Sequence, residues 1–322
     1  MIYLAKYKMI LDLDTGIDDA LAIAYALASE ECDLIGIVGS YGNILVEDGV
    51  QNSLDLLELL GHPDIPVFTG LPHASTKDSF EVMPISAQIH GKNGIGEVKL
   101  KKADRKPEAM SGVDFFIEAA HKYGKDLVIV PTGPLTNLAA ALEKDPEIAK
   151  LVGKVTLMGG ALTVPGNVNP VTEANIDQDP EAADKVFRSE FPLTMIGLDV
   201  TTRTLLTTKE TQKWRDLKTL AGEKYADLTD YYIDAYKVTS PHLGGCALHD
   251  PLAVAAAIDP SLVTTLDLNM KVDTEGPYAG RTIGDETRIN EPALLTKAAV
   301  NVDKARFVDL FMERLTTLFS KN

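Results

Sequence analysis

From residue 9 to residue 196 the chain repeats one rhythm, a short apolar run followed by an amphipathic stretch, and few folds accept it. Runs of four or five apolar residues, bounded by turn residues, read as strands buried on both faces. The amphipathic stretches between them read as helices packed on those faces, which gives βα units around a mostly parallel sheet. Met9–Leu13 reads as the first strand and Asp19–Ala28 as the helix after it, with Asp18 as N-cap. Leu34–Val38 is the second strand, Val46–Leu60 a helix closed by Gly61, and Pro66–Thr69 a short third strand. Leu127–Val130 is a fourth, followed by a turn at Pro131–Pro134 and a helix through Glu143. Val155–Met158 and Leu193–Ile196 are two more, with the helix Glu181–Arg188 between them.

Two segments break the rhythm, Gly70–Met110 and Gly159–Asp179. Loops this long inside a compact domain are usually functional. After Thr201 the chain turns more helical, over Lys209–Leu220, Glu223–Val238, Pro251–Ile258 and Lys304–Phe319, with weaker strand patterns between Leu262 and Ile283. No repeat, low-complexity tract or linker divides it. Residues 1–322 therefore read as a single Rossmann-like α/β domain, a mostly parallel central sheet flanked by helices, with a more helical C-terminal part.

Composition narrows the partners. The 31 basic and 47 acidic residues give a net charge of −16, which argues against nucleic acid or a membrane surface, since both present phosphates. An acidic pocket, by contrast, suits a cation. Cys32 and Cys246 form no metal or redox spacing and fit a reducing compartment. No apolar run reaches the ~20 residues of a membrane span, and the first ten residues lack a signal peptide's apolar core. A cytoplasmic location is expected.

The segment Asp12-Leu13-Asp14-Thr15-Gly16-Ile17-Asp18-Asp19-Ala20 lies at the carboxyl end of the first strand, the edge where parallel α/β sheets bind ligands. Asp12 and Asp14, two apart, are expected on one face of the strand. Capping and the helix dipole explain Asp18 and Asp19 but not Asp12 and Asp14. Four carboxylates so close repel one another, and a hard divalent cation would offset that repulsion. Other strand ends meet the same edge: Tyr41-Gly42-Asn43, Thr132-Gly133-Pro134-Leu135-Thr136-Asn137 and Met158-Gly159-Gly160. Each alone is an ordinary turn; together on one edge they can line one pocket. The loop beyond carries Asn167, Asn169, Glu173, Asn175 and Asp177, groups able to bind a polyhydroxylated ligand or simply to make turns. His249-Asp250-Pro251 sets an acid/base group beside a carboxylate at a helix start.

In order along the chain, these segments resemble the inosine–uridine nucleoside hydrolase family. Its DxDxGxDDA start is similar to Asp12–Ala20, and its PTGxLTN, LMGG, GN…E-x-N and HDP segments match around Thr132, Met158, Asn167 to Asn175, and His249–Asp250. The resemblance spans residues 9 to 260 and extends weakly to Ala298–Leu318. It implies hydrolysis of the N-glycosidic bond of a nucleoside, and calcium held by Asp14, Asp19, the Thr132 carbonyl and Asp250. It further implies Asp14 as general base, and His249 as the acid that protonates the departing base. Asp18, Asn43, Asn167, Glu173 and Asn175 would bind the ribose, with Met158 under the sugar. His90 would lie over the pocket from a mobile loop, and Tyr236 would close it near the base. A homodimer or homotetramer is implied as well. Three positions depart from the family pattern: Ala174 where an aromatic is common, Tyr41 before the Gly-Asn pair, and Pro165 inside the ligand loop. They leave the choice of purine or pyrimidine open.

Two rival readings remain. Asp12-Leu13-Asp14-Thr15 also fits a haloacid-dehalogenase-type phosphatase, with Asp12 as nucleophile, magnesium as metal and Gly284-Asp285-Glu286 as a late acidic motif. That reading gives no reason for Asp18-Asp19 or for His249-Asp250. A calcium- or nucleoside-binding protein without catalysis would use the same pocket.

Overall fold

In the computed structural model, which describes residues 7–322, the first apolar run becomes a strand inside an eight-stranded sheet. β1 (Tyr7–Leu13), β2 (Cys32–Gly39), β3 (Val67–Thr69), β4 (Leu127–Pro131), β5 (Lys154–Met158) and β6 (Leu193–Ile196) run parallel. β7 (Leu205–Leu206) and β8 (Cys246–Ala247) form a small antiparallel ribbon. β9 (Val263–Leu268) is an edge strand of the main sheet, β10 (Met270–Val272) and β11 (Thr282–Gly284) make a second ribbon, and β12 (Thr296–Val302) enters the main sheet between β6 and β9. The sheet order is β3-β2-β1-β4-β5-β6-β12-β9, and only the β12–β9 pair is antiparallel.

The sheet is buried on both sides, which explains why its strands read as continuous apolar runs. Met9, Leu11 and Leu13 of β1 pack into one core, while Ile10 faces the other. The first core lies under the helices Ile17–Leu27, Val46–Leu59, Leu220–Thr239, His249–Ile258 and Lys304–Phe319. The second lies under Gly112–Tyr123, Thr136–Lys144 and Pro180–Phe187. Each fully buried Leu or Ile contributes about 1.5–3 kcal/mol. Strand order reverses between β1 and β4, because β2 and β3 build outward on one side and β5 and β6 on the other. A crevice opens at the carboxyl ends of strands beside such a reversal. Among the described residues no helix is long and apolar enough to cross a membrane.

Several local expectations change. The helix after β1 begins at Ile17 with Gly16 as its cap, so Asp18 sits in the first turn and is not the N-cap. Asp12 lies in β1 but Asp14 lies beyond its end, so the two do not share a strand face. Gly70–Met110 contains a seven-residue helix, Pro84–His90, packed on the helix Leu220–Thr239. It is shorter than the ~12–15 residues at which an isolated helix becomes even marginal, so tertiary packing supports it. The helix Gly112–Tyr123, capped by Ser111, and strand β12 have no counterpart in the sequence reading. β12, Thr-Lys-Ala-Ala-Val-Asn-Val, lacks a clean apolar run and gains its strand character from β6 and β9.

Candidate active site

The chain leaves β1 at Leu13 and within three residues starts a helix, so its carboxylates meet unpaired helix N–H groups. Asp19, the third helical residue, reaches back and accepts from the N–H of the cap residue Gly16 at 2.8 Å. Its other oxygen accepts from Thr132 Oγ1 at 2.7 Å, at the end of β4. Asp14 accepts from the Asn43 N–H at 2.7 Å, on the loop after β2. That approach requires glycine at 42: φ is +153°, and a Cβ there would collide with the Asp14 carboxylate. From far along the chain, the helix His249–Ile258 adds Asp250 in its first turn. Asp18, Asp19 and Asp250 each offer an oxygen within 4.8 Å of the others.

Burial raises the proton affinity of all these acids, and repulsion from neighbouring carboxylates adds to it at Asp14, Asp18 and Asp250. Asp18 is pushed up to about 7, Asp19 is raised, and Asp14 and Asp250 stand well above the usual carboxylate range. Asp14 Oδ1 and Asp18 Oδ1 are buried without a hydrogen-bond partner. Orphaned buried carboxylate oxygens are costly, and a hard cation with oxygen ligands would satisfy them. The residues therefore fit a divalent metal ion. The Thr132 carbonyl accepts from Asn175 Nδ2 at 2.7 Å and keeps a second lone pair. Asp12 stands apart from the trio: Asn137 Nδ2 donates to it at 2.9 Å, and it does not border the cavity.

Beside the carboxylates lies a cavity of about 360 Å³. Of the positions singled out from the sequence, Asp18, Asn43, His90, Thr132, Met158 and Asn167 border it. Glu173, Asn175, Tyr236, His249 and Asp250 border it as well, while Asp14 and Asp19 lie behind its wall. Glu173 accepts from the N–H groups of Gly160, Asn175 and Ile176, yet burial pushes it up to about 7. Asn167 Oδ1 accepts from the Ala174 N–H, which leaves its amide free to donate. The Ile17 N–H donates to His90 Nδ1 at 3.1 Å; a backbone amide can only donate, so the ring proton sits on Nε2. Burial, with His249 nearby, drops His90 to about 3 and keeps it neutral. Burial drops His249 to about 4. His249 Nε2 lies 2.7 Å from the Tyr236 hydroxyl and Nδ1 lies 2.7 Å from Thr201 Oγ1. Tyr232 donates to Asp18 at 3.3 Å and lies 3.4 Å from the Tyr236 hydroxyl.

Tyr232 and Thr201 were not singled out from the sequence. Tyr232 and Tyr236, four apart, share a helix face, a spacing the sequence does contain; nothing marks Thr201. Of the three departures, Tyr41 is buried against Phe80 with its hydroxyl 2.9 Å from Thr136 Oγ1, away from the cavity. Ala174 does border the cavity, and Pro165 does not.

Known proteins match the chain over nearly its whole length. A solved structure of the purine-preferring ribonucleoside hydrolase from Gardnerella vaginalis superposes with a TM-score of 0.97 at 63% identity, covering 98% of this chain and 100% of that one. The probable uridine nucleosidase 2 of Arabidopsis thaliana is 38% identical over 96% of this chain and 98% of its own length. The pyrimidine-specific ribonucleoside hydrolase RihA of Enterobacter is 34% identical over 95% of this chain and 97% of its own. Fold and relatives define an enzyme of the N-ribosyl hydrolase class, which cleaves ribonucleosides at the N-glycosidic bond. Within that class, the model of the inosine-uridine preferring nucleoside hydrolases matches residues 9–309, and the chain belongs to that family.

Proposed function

We propose that the protein is a calcium-dependent ribonucleoside hydrolase that prefers purine nucleosides. The observation that carries this reading is the convergence of buried carboxylates from the end of β1, from the helix start that follows it and from the distant helix start at His249, beside one cavity. Asp14, Asp19, Asp250 and the Thr132 carbonyl would hold the ion, a set of hard oxygens that suits calcium, and Asp18 lies close enough to join them. When bound, calcium would lower the pKa of a water molecule and offset the carboxylates' charge.

The remaining work belongs to the chain's own groups. Asp14 has one oxygen fixed by the Asn43 N–H and one without a partner, as suits a base that takes a proton from the water attacking C1′. Asp18, Asn43, Asn167, Glu173 and Asn175 bind the sugar, with Met158 beneath it. Their carboxylates favour the positive charge that develops on the ribose. Direct attack by water inverts the anomeric centre, so a β-nucleoside gives α-ribose first. His90 presents its Nε2–H toward the base. As the C1′–N bond breaks, its electron pair stays with the base and His249 gives a proton to a base nitrogen, with Tyr236 beside it.

The purine preference rests on the 63% identity to an enzyme named for purines, against 34–38% to those named for uridine or pyrimidines. Met83, Ile85, Ile89 and Leu243 give the cavity an apolar stretch that suits a flat base. The two cysteines are buried and unpaired, in keeping with a cytoplasmic enzyme, and the family resemblance implies a homodimer or homotetramer. A panel of inosine, adenosine, uridine and cytidine in excess calcium, read as free base and ribose, tests the reading. Higher kcat/KM on the purines is expected. A pyrimidine preference would reverse that part, and no release from any of the four would overturn the whole.

A further inference from the structure

Thr201 ends the short helix Leu198–Thr201 and has no exposed surface. Valine would fill the same space with no hydrogen bond to satisfy, so a buried hydroxyl here calls for a partner. Among the described residues its Oγ1 has one partner, His249 Nδ1 at 2.7 Å. We propose that Thr201 is a positioning residue, which holds the His249 ring with Nε2 turned toward Tyr236 and the departing base. The proposal rests on the reading of His249 as the acid.

Hydrogen-bond bookkeeping along the chain of groups supports the assignment. The Tyr232 O–H donates to Asp18 Oδ2, 3.3 Å away. The Tyr232 oxygen is then free to accept from the Tyr236 O–H at 3.4 Å. Tyr236 in turn accepts from His249 Nε2–H at 2.7 Å. The Nδ1 lone pair is left to accept from Thr201. Each hydroxyl has one proton to give, and this direction leaves no donor unused.

A hydroxyl can also accept, so the same contact serves the acid form. That form carries protons on both nitrogens. Its Nε2–H bond breaks as the base N–H bond forms, the C1′–N electron pair stays with the base, and Nδ1–H donates to Thr201, whose hydroxyl turns from donor to acceptor. Methyl groups at this position could do neither.

The experiment compares Thr201→Val, Thr201→Ser and His249→Ala on inosine and on p-nitrophenyl riboside, whose phenolate leaves without a proton. Calcium is saturating, and kcat and KM are measured separately. Thr201→Val should lower kcat on inosine by about 10- to 100-fold, a part of the 10²–10⁴ that a general acid supplies. KM should stay within about twofold, the nitrophenyl substrate should lose far less, and Thr201→Ser should recover most of the rate. Added to His249→Ala, Thr201→Val should cost nothing further, because it acts through the missing ring. Should Thr201→Val fold poorly, Thr201→Ala gives the same comparison. Equal losses on both substrates, no rescue by serine, or additive losses in the double variant would overturn the proposal. If His249→Ala is selective for inosine while Thr201→Val is silent, the positioning role alone falls. If His249→Ala is itself unselective, the acid reading falls first and takes the positioning role with it.

Discussion

The His249 proton is weakly held, because burial drops the imidazole to about 4 and leaves it neutral at pH 7. A weakly held proton transfers readily to a basic leaving group, at the cost of a small protonated fraction. His249→Ala should therefore slow inosine hydrolysis by about 10²–10⁴. It should leave p-nitrophenyl riboside nearly untouched and calcium affinity nearly unchanged. Similar losses on the two substrates, in parallel steady-state assays, would instead assign His249 to holding the sugar or Asp250. His90 plays a different part, since its Nδ1 is already bonded to the first amide of a helix. Its tautomer is fixed, which leaves Nε2–H as the donor of a neutral ring. Of these residue-scale features the sequence shows identities and order. It does not show which nitrogen bears a proton, because that depends on Ile17 and Thr201, distant in sequence from the rings they meet.

Elements bring these residues together, and one buried acid holds several of them in place. Asp179 caps the helix Pro180–Phe187 through the Ala182 N–H, accepts from the N–H and hydroxyl of Ser75, and accepts from Thr136 Oγ1. Through Thr136 it supports Tyr41, next to the Gly42-Asn43 pair that meets Asp14. Asp179→Ala should cost about 2–4 kcal/mol, from the lost cap and the donors left unsatisfied. Urea unfolding with an unchanged m-value is the check, and a loss below about 0.5 kcal/mol would contradict it. The parallel strands were legible because burial on both faces makes them plain apolar runs. The helix Pro84–His90 and strand β12 were not, since each depends on neighbours rather than on its own pattern. The carboxylate cluster was legible as composition at one sheet edge. The separation of Asp12 from Asp14 was hidden, because β1 ends between them.

For the whole molecule, the buried acids make folding sensitive to pH and to the ion. Burial pushes Asp12, Asp18 and Glu173 up to about 7, against ordinary values near 4. Between those values these acids bind more protons in the folded protein than in the unfolded chain. Buried His90 and His249 pull the other way below their ordinary value of 6.5, but the raised acids outnumber them, so stability falls as pH rises through the window. In chelator, Tm should accordingly be higher at pH 5.5 than at pH 7.5. Added calcium should raise Tm most at the higher pH, where the carboxylates it neutralises are most ionised. Scanning calorimetry at the two pH values, with and without the ion, tests the sign, and a Tm that rises with pH in chelator would contradict it.

The central claim is that buried carboxylates at one sheet edge work with calcium to cleave nucleosides. Its most direct test is the initial rate of inosine hydrolysis by protein stripped with a calcium chelator, then titrated back with calcium. The account predicts base and ribose release that is near zero in chelator and rises to saturation as free calcium is restored. Full activity in chelator, with no response to added calcium, would contradict it.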